Sequence, residues 1–336
     1  MRRIGNLWPQ VANFDALCHA ARRAARGKRR SHAVASFLDR LEPECLALER
    51  ALRDDRWRPG RTATFVLHDP KERRITVVPF ADRVVHHALL GPLEAVFERQ
   101  MIAHSFACQR DKGTHAALRC ARRLVRGHEW FLKLDVAAFF ASIPHDAVRA
   151  TLARVIKDRR VLGLCDRILR GPCGHSRGRG LPIGSLTSQW WANLVLARLD
   201  RLVLQELRPG GYARYMDDFA LLDGDRRRLR DAHRAIAAFL RDELGLRLKE
   251  RATVLAPVRE GLPWLGWRVY RGTVRVQRDN LRRARWRLRH RRWEYEQGRR
   301  DAASYRAAVA AVLAHLGHAD TRGLRQGWFA AHALEL

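Results

Sequence analysis

The chain has few acidic residues for its size. Asp and Glu together number 35 among 336 residues, against 65 Lys and Arg, so the formal net charge is +30. A surface this positive repels itself unless a polyanion neutralises part of it. A genome composition that favours Arg codons explains the preference for Arg over Lys, but it does not explain the excess over acids. The charge therefore favours a nucleic-acid-binding protein, with an anionic membrane as the second candidate partner.

Long apolar runs and paired cysteines are also missing. No run approaches the roughly 20 apolar residues of a membrane span, and no signal-peptide core follows the charged start Met1–Arg3. The six cysteines form no CxxC pair, which is typical of free thiols in a reducing compartment. We therefore expect a cytoplasmic protein without a membrane partner.

Helix-type and strand-type patterns alternate along the chain, with no internal repeat and no low-complexity linker. The patterns predict strands, a hairpin and several helices. Strands are predicted at Thr62–Leu67, Arg74–Val78, Trp130–Val136, Leu246–Leu255 and Trp264–Val269, a hairpin at Tyr212–Leu222, and helices at Val34–Leu52, 81–99, His145–Ile156, Ser188–Leu207, 226–244, from about 278, and near 302–316. This mixture indicates an α+β fold.

Two adjacent carboxylates lie in the middle of the predicted hairpin. Asp217 and Asp218 follow Tyr215-Met216 and precede Phe219, so strand-type residues flank them on both sides. Adjacent carboxylates repel one another unless a cation compensates them, and Mg²⁺ prefers oxygen ligands. An Asp-Asp pair alone also fits an ordinary polar turn.

A third carboxylate, Asp135, ends the apolar strand pattern that begins at Trp130. Asp is depleted from strand interiors, so such a residue is either at an edge or a placed ligand. Three carboxylates can converge on two cations about 4 Å apart, the arrangement for in-line phosphoryl transfer. One metal then lowers the pKa of the attacking 3′-hydroxyl, and the other stabilises the triphosphate and the leaving pyrophosphate.

These motifs resemble those of reverse transcriptases, in the family's order across about residues 60–275. The resemblance implies a right-hand polymerase fold of the α+β class, with fingers, an antiparallel-sheet palm and a helical thumb. It implies RNA-templated DNA synthesis from dNTPs with two Mg²⁺ ions, for which Mn²⁺ is a substitute. Asp135, Asp217 and Asp218 match the catalytic metal ligands, together with Val136. The implied regions are a basic helical extension at 1–60, fingers at 61–125 with part of 150–185, palm at 126–270 and basic thumb at 271–336.

The resemblance also implies roles in nucleotide binding. Arg73 best matches the Arg that grips the triphosphate, with Lys71 beside it, although a solvated basic turn is the alternative. Phe140 matches the aromatic gate against the ribose 2′-hydroxyl, and Phe139 competes for that role. Arg110 matches a contact in the nucleotide pocket.

Further roles follow farther along the chain. Lys249 matches a lysine that protonates pyrophosphate, with Arg247 and Arg251 as rivals. The primer grip is implied at Trp264, Leu265 and Gly266. The spacing of the thumb cations suits contact with the template–primer backbone, and these are Arg282, Arg285, Arg289 and Arg292. We expect Trp286 and Trp293 to pack in the thumb core rather than to stack on bases.

The segment Gly180–Gln189 departs from the usual family pattern. Most reverse transcriptases have Gln before the central Gly184 and Pro after the next Ser, whereas this chain has Ile183 and Gln189 in those places. The variant resembles the diversity-generating retroelement branch, which copies a template RNA with errors at adenines. Gly184 lets backbone approach the nucleotide closely, and Ile183 cannot make the hydrogen bonds of a Gln. A packing substitution at Ile183 is the alternative.

This branch implies three kinds of partner: a template RNA, an RNA–DNA duplex, and a small basic accessory protein of the same element. Other bacterial reverse transcriptases, of the group II intron, retron or defence type, remain open. The absence of a recognisable maturase extension or endonuclease domain after residue 275 disfavours the intron type. A catalytically silent nucleic-acid-binding protein is the alternative of a different class, and the intact carboxylates argue against it.

Overall fold

The computed structural model describes residues 3–68, 72–171 and 178–332, with side chains described to residue 330. The helices are α1 (Trp8–Val11), α2 (Phe14–Ala24), α3 (His32–Asp39), α4 (Leu41–Arg53), α5 (Phe80–Leu90), α6 (Glu94–Glu98), α7 (Thr114–Gly127), α8 (Phe139–Ser142), α9 (His145–Val155), α10 (Arg159–Leu169), α11 (Leu186–Arg201), α12 (Arg226–Leu244), α13 (Arg278–Glu296), α14 (Ala302–Leu316) and α15 (Arg322–His332). The strands are β1 (Ala63–His68), β2 (Glu72–Val77), β3 (Trp130–Asp135), β4 (Gly211–Tyr215), β5 (Asp218–Asp223), β6 (Val254–Pro257), β7 (Leu262–Trp264), β8 (Trp267–Val269) and β9 (Val274–Val276).

The central sheet has the order β4-β5-β3-β6, and all its neighbouring strands are antiparallel. Side chains alternate between its two faces, and both faces are buried. Leu132 and Leu134 pack into the larger core, which holds the N-terminal helices together with α11 and α12, while Phe131 and Leu222 pack into a second core with α7 and the β7–β9 sheet. Burial on both faces is the reason that β3 reads as a nearly continuous apolar run.

The N-terminal strands form a separate two-stranded hairpin. β1 and β2 pair in the register Ala63↔Val77 to His68↔Glu72, as the alternating pattern predicted. The N–H of Thr76 in β2 donates to the carbonyl of Ile183, with a distance of 2.8 Å. The hairpin is thus tied by main chain to the loop that precedes α11.

Two predicted elements differ in the structure because of local backbone chemistry. The pattern Val34–Leu52 is two helices, α3 and α4, since Pro43 in the first turn of α4 would clash with the carbonyl four residues earlier in a continuous helix. Trp264–Val269 is not one strand but the hairpin β7–β8, which turns at Leu265 and Gly266 with φ values of +48° and +94°.

The predicted strand Leu246–Leu255 is wrong over most of its length. Glu250–Ala252 form a 3₁₀ turn, and only Val254–Pro257 joins the sheet as β6. Before the turn, Leu248 makes one isolated bridge to Val136. The predicted helix 81–99 is two helices, α5 and α6, with a turn at residues 91–93 between them. The remaining predicted helices are present, although Ser188–Leu207 ends as a π-helical segment, Leu202–Leu207.

The C-terminal region is helical, as expected. Helices α13, α14 and α15 enclose a small core of Leu288, Tyr305, Val309, Leu316 and Trp328. The α+β class with an antiparallel central sheet is therefore confirmed. Of the helices in the described ranges, none is both long and apolar enough to cross a membrane.

Candidate active site

The structure brings the three predicted carboxylates together at one end of the central sheet. Asp135, the last residue of β3, lies directly opposite Asp218, the first residue of β5. Tyr215 of β4 also pairs with Asp218, so Met216 and Asp217 form a two-residue turn between the strands. Met216 has a φ of +55°, a left-handed conformation that is costly for a residue with a side chain. Such strain is typical of functional turns that the surrounding structure holds in place.

The electrostatics of this cluster show uncompensated negative charge. Burial, with the neighbouring charges of Asp135 and Asp218, raises the pKa of Asp217 to about 6, while Arg73 acts in the opposite direction. Burial also raises the pKa of Asp218, against the opposing charge of Lys133. The Lys133 Nζ lies 2.9 Å from Asp218 Oδ1. Only one of the carboxylates thus has a close cationic partner in the described chain.

The donor chemistry of the cluster fits a hard divalent cation. Carboxylate oxygens are the ligands that Mg²⁺ prefers, and a cation would relieve the repulsion that raises these pKa values. In residues 3–68, 72–171 and 178–332, however, no three His, Cys, Asp or Glu side chains already converge on one ion position. The ion pair with Lys133 is made by Asp218 Oδ1, so a bound cation would compete with Lys133 for the charge of that carboxylate.

Val136 can contribute only its main chain to such a site, since its side chain is buried and apolar. Its bridge to Leu248 is made through the neighbouring residues: Lys249 N donates to Asp135 O and Ala137 N donates to Arg247 O, each at 2.8 Å. The Val136 carbonyl is therefore not used in that bridge. Among the rival cations, Lys249 is the one whose backbone bonds to Asp135 of β3.

A buried ion pair, which no sequence pattern predicted, lies next to the carboxylate hairpin. Arg214 of β4 and Asp200 of α11 are both fully buried, with Nε–Oδ1 at 2.7 Å and Nη2–Oδ2 at 2.5 Å. Tyr212 donates its hydroxyl to Asp200 Oδ1 at 2.8 Å. Arg214 Nη1 donates to Asn193 Oδ1 at 2.8 Å and to the Met216 carbonyl at 3.2 Å. The strained turn is thus held from below by a guanidinium. An Arg inside an apolar strand was the signal available in the sequence.

The same network reaches the segment that the resemblance places in the nucleotide pocket. Arg214 N donates to His104 O, and Phe106 N donates to Arg214 O, each at 2.9 Å. Asn193 Nδ2 donates to Ala107 O at 3.0 Å. Backbone and side-chain bonds therefore fix this segment to β4 and α11.

Two predicted nucleotide-binding residues flank that segment. The exposed Gln189 accepts a hydrogen bond from the Cys108 thiol, with a sulfur–oxygen distance of 3.7 Å. Arg110 is exposed, and its guanidinium lies 4.0 Å from Glu94. Gln189 and the 104–110 segment are brought together, whereas Arg110 extends from the surface.

Gly184 lies where the loop before α11 meets the fingers hairpin. Its φ is +110°, and a Cβ there would lie 2.7 Å from the Thr76 carbonyl. In this structure the close backbone approach at Gly184 is to strand β2. The adjacent Ile183 is half-buried, and its carbonyl accepts the bond from Thr76. Arg73, on the same strand, acts electrostatically on Asp217, as noted above. Lys71 lies outside the described residues.

The two candidate gate residues differ in burial. Phe139 is buried in the larger core, whereas Phe140 is only partly buried and packs against it, with ring centroids 5.5 Å apart. Both begin α8, directly after the left-handed Ala138. Burial of Phe139 leaves Phe140 as the ring with exposed surface.

The three residues that were predicted as the primer grip lie at the β7–β8 turn. Trp264 is buried, and its indole N–H donates to Ala117 O at 3.3 Å. The Gly266 carbonyl accepts from Gln277 N and from Asn280 Nδ2, both at 3.0 Å. The start of α13 therefore holds this turn.

Three of the four cations predicted to contact the template–primer backbone line an open groove of about 800 Å³ along α13. Arg282, Arg285 and Arg289 lie on it, and the Arg285 guanidinium is 5.5 Å from the ring centre of Trp328. Arg292 lies outside the groove lining and pairs with Glu296 at 2.8 Å. The groove suits a phosphate chain by charge and shape.

The prediction that Trp286 and Trp293 pack in the thumb core is wrong. Trp286 is 60% exposed and Trp293 is 43% exposed. Leu288, on the opposite side of α13, takes the core position against α14 instead.

Comparison with known proteins bears on this site. A family model described as reverse transcriptase (RNA-dependent DNA polymerase) matches residues 68–269, which include all three carboxylates. Nuclear intron maturase 2 of Arabidopsis thaliana is 29% identical over 148 residues, or 39% of this chain and 20% of that protein. The group II intron-encoded protein LtrA of Lactococcus lactis is 29% identical over 142 residues, or 40% and 23%. The chain thus spans about a fifth of the length of these relatives.

Two further comparisons cover more of the chain. Protein YkfC of Escherichia coli is 22% identical over 258 residues, or 63% of this chain and 67% of that protein. A telomerase from Candida albicans, solved with a fragment of telomeric RNA, superposes with a TM-score of 0.50 at 10% identity, over 83% of this chain and 57% of the other. This likeness shows the right-hand polymerase fold. Intron maturases are thus among the relatives, although the absence of a recognisable maturase extension after residue 275 disfavoured this type. These comparisons do not distinguish the diversity-generating branch from other reverse transcriptases.

Proposed function

The chain belongs to the reverse transcriptase (RNA-dependent DNA polymerase) family, and on that premise we propose that it copies a template RNA into cDNA at the Asp135–Asp217–Asp218 cluster. The observation that carries this proposal is the register that sets Asp135 opposite Asp218, with Asp217 in the intervening turn. It supports two Mg²⁺ ions, or Mn²⁺ in their place, held by these carboxylates and the Val136 carbonyl. Bound there, the ions supply activation of the 3′-hydroxyl and stabilisation of the leaving pyrophosphate.

The chain's own residues orient the substrates around that cluster. Arg73 lies on the β1–β2 hairpin, and its positive charge acts on Asp217. It is therefore suited to hold the triphosphate of the incoming dNTP. Phe140, the partly buried ring of the pair, is suited to contact with the sugar. Lys249, whose backbone bonds to Asp135, is placed to donate a proton to pyrophosphate. Lys133 neutralises Asp218 until a cation competes for that oxygen.

We assign the regions accordingly. Residues 61–125, with part of 150–185, serve as fingers, 126–270 as palm and 271–336 as thumb, after a basic helical extension at 1–60. The Arg groove of α13 and the turn at Trp264–Gly266 then contact the template–primer duplex. The excess of 65 cations over 35 acids supports an extended polyanionic partner of this kind.

Primer extension on an RNA template with dNTPs and Mg²⁺ tests the enzymatic proposal. We expect synthesis by the unaltered chain and a loss of at least about a thousand-fold in Asp218→Asn, because metal-held charge supplies several kcal/mol of transition-state stabilisation. Asp231→Asn is the matched control, since Asp231 is an exposed acid of α12 that pairs only with its neighbour Arg234 in the described chain. If the Asp218 variant and the unaltered chain synthesise cDNA equally well, these carboxylates are not the catalytic site.

We further propose that copying is error-prone at template adenines, as in a diversity-generating retroelement. The support is Ile183 and Gln189, which depart from the usual pattern. Both lie on the loop and helix start that meet strand β2 and the 104–110 segment. Such an element would also supply the template RNA and a small basic accessory protein.

Sequencing of the cDNA tests the branch. Errors should concentrate at adenines, Ile183→Gln should lower them, and the conservative Ile183→Val should retain them. Errors spread over all four template bases would instead favour a group II intron-type enzyme. The maturase relatives are the observation that supports this second candidate.

A further inference from the structure

One face of α13 carries an exposed row of stacked aromatic rings that the polymerase reaction does not use. Trp286, His290 and Trp293 are spaced by four and three residues, so they share one side of the helix. The Trp286 and His290 rings are 5.4 Å apart with an interplanar angle of 4°, and the His290 and Trp293 rings are 5.7 Å apart at 21°. The Arg299 guanidinium extends the stack, 4.8 Å from the Trp293 ring centre. We call Trp286, His290 and Trp293 the aromatic ladder.

The ladder is not part of the core that folds the thumb. Leu288 lies about half a turn away from Trp286 on the helix and packs against Tyr305 and Leu316. The two tryptophans keep 60% and 43% of their surface exposed. Large exposed aromatic groups that contribute nothing to a core mark binding surfaces. The ladder is therefore better explained as a binding surface than as part of the core.

The charge around the ladder selects the class of ligand. The segment 271–300 holds twelve Arg and three acids. Each acid is already paired with Arg: Asp279 with Arg282 at 3.4 Å, Glu294 with Arg300 at 3.0 Å, and Glu296 with Arg292. The surface is thus strongly positive, and a polyanion is the complementary partner.

Flat rings and positive charge together favour unpaired nucleobases. Bases stack on aromatic side chains without regard to sequence, while cations contact the phosphates. In a duplex the bases stack on one another and their faces are not accessible. A single-stranded segment is therefore the form that can use both features of the surface.

We propose that the aromatic ladder is a binding site for single-stranded RNA, in which bases stack on Trp286 and Trp293 and the neighbouring Arg residues contact phosphates. The site lies beside the Arg groove of the same helix, which faces Trp328 and suits a phosphate backbone. This binding goes beyond the proposed polymerase reaction, because it requires neither the carboxylate cluster nor an incoming dNTP.

Binding of the full chain to a fluorescein-labelled oligo(rA) of about twelve nucleotides tests the site, in EDTA and without dNTPs. We expect Trp286→Ala/Trp293→Ala to weaken binding by about ten-fold per tryptophan, the effect of one lost base–aromatic stack. The dependence of affinity on salt should be unchanged, since no phosphate contact is removed. Trp286→Phe/Trp293→Phe should restore most of the affinity. Phe329→Ala is the matched control, because Phe329 is an aromatic residue of α15 that is 61% exposed.

Three companion measurements decide between occupants. An abasic oligonucleotide of equal length, and a duplex RNA, should bind the alanine variant and the unaltered chain equally. The proposal would be overturned if the alanine variant bound oligo(rA) as tightly as the unaltered chain does. It would also be overturned if the alanine substitutions weakened binding of the abasic strand as much as binding of oligo(rA). Light scattering that shows a dimer only in the unaltered chain would overturn it in favour of self-association. The Asp218→Asn chain should bind oligo(rA) normally, so failure of the enzymatic proposal and failure of this one are distinguishable.

Discussion

Separating stability from catalysis at the buried Arg214–Asp200 pair gives the sharpest test of how the carboxylate hairpin is held. Both side chains are fully buried, so Asp200→Leu alone leaves the buried guanidinium charge of Arg214 without its partner. Breaking a buried pair on one side costs about 3–5 kcal/mol. That is a large share of the roughly 5–15 kcal/mol by which a protein of ordinary stability is folded. We therefore expect Asp200→Leu to lower the urea midpoint strongly.

An apolar replacement of the whole group should recover the stability but not the activity. In the triple variant Asp200→Leu/Tyr212→Phe/Arg214→Met, neither a buried charge nor the Tyr212 hydroxyl is left without its partner, and the remaining cost of about 1–3 kcal/mol is the loss of the Arg214 donor to the buried Asn193 Oδ1. Such replacements are often neutral, or stabilising by about 1–4 kcal/mol. The Met216 carbonyl nevertheless loses the donor that holds the strained turn at 3.2 Å. A shift of about 1 Å in the carboxylates is enough to reduce kcat by about a hundred-fold.

The assay pairs urea unfolding with steady-state primer extension. Arg198→Met is the matched control. Arg198 lies on α11, the helix that holds Asp200, and it pairs with the half-exposed Glu243 at 2.9 Å. Loss of such a pair costs about 0–1 kcal/mol. A triple variant that is stable and has an unaltered kcat would refute the reasoning, since the pair would then serve only the fold.

Three other perturbations follow from the structure. Because the pKa of Asp217 is raised to about 6 in the folded chain, the metal-free protein binds its extra proton when folded and loses stability as the pH rises from about 4 through 6. Asp217→Asn should reduce that slope in urea unfolding in EDTA, leaving the part that comes from the raised pKa of Asp218, and should raise the thermal midpoint at pH 8, while primer extension is lost; an unchanged slope would contradict the assignment. Gly184→Ala should force strand β2 from the loop, since its Cβ would lie 2.7 Å from Thr76 O at a φ of +110°, and should lower kcat/KM for dNTPs, whereas Gly127→Ala, with open space around it, should not. The ring of His115 stacks on His318 at 3.6 Å and its pKa is lowered by burial and that neighbour, so the protection factors of amides in α14, which are corrected for the intrinsic exchange rate, should fall as the pH falls below about 6.5, and His115→Phe should abolish that fall.

Chain-local chemistry accounts for what could be predicted without a structure. Asp217 and Asp218 lie between two strand patterns, and Asp135 ends a third, so each belongs to the end of a strand whatever the rest of the chain does. Strand periodicity is two residues, and this alone puts Asp135 and Lys133 on one face of β3. The helical period likewise predicted α9 and α12 within a residue or two of their ends.

Long-range packing decided what the sequence alone could not. Asp200 and Arg214 belong to different elements, and nothing local shows that one buries the charge of the other. Trp264 is buried and Trp286 is exposed, although both are tryptophans with a leucine one or two residues away in the sequence. Their fates differ because α7 covers the β7–β8 hairpin, whereas α14 packs against the Leu288 side of α13. The sequence by itself determined where the carboxylates lie along the chain; only the tertiary structure determined which charges support them and which aromatic rings remain available to a partner, because burial depends on the surfaces that distant elements bring together.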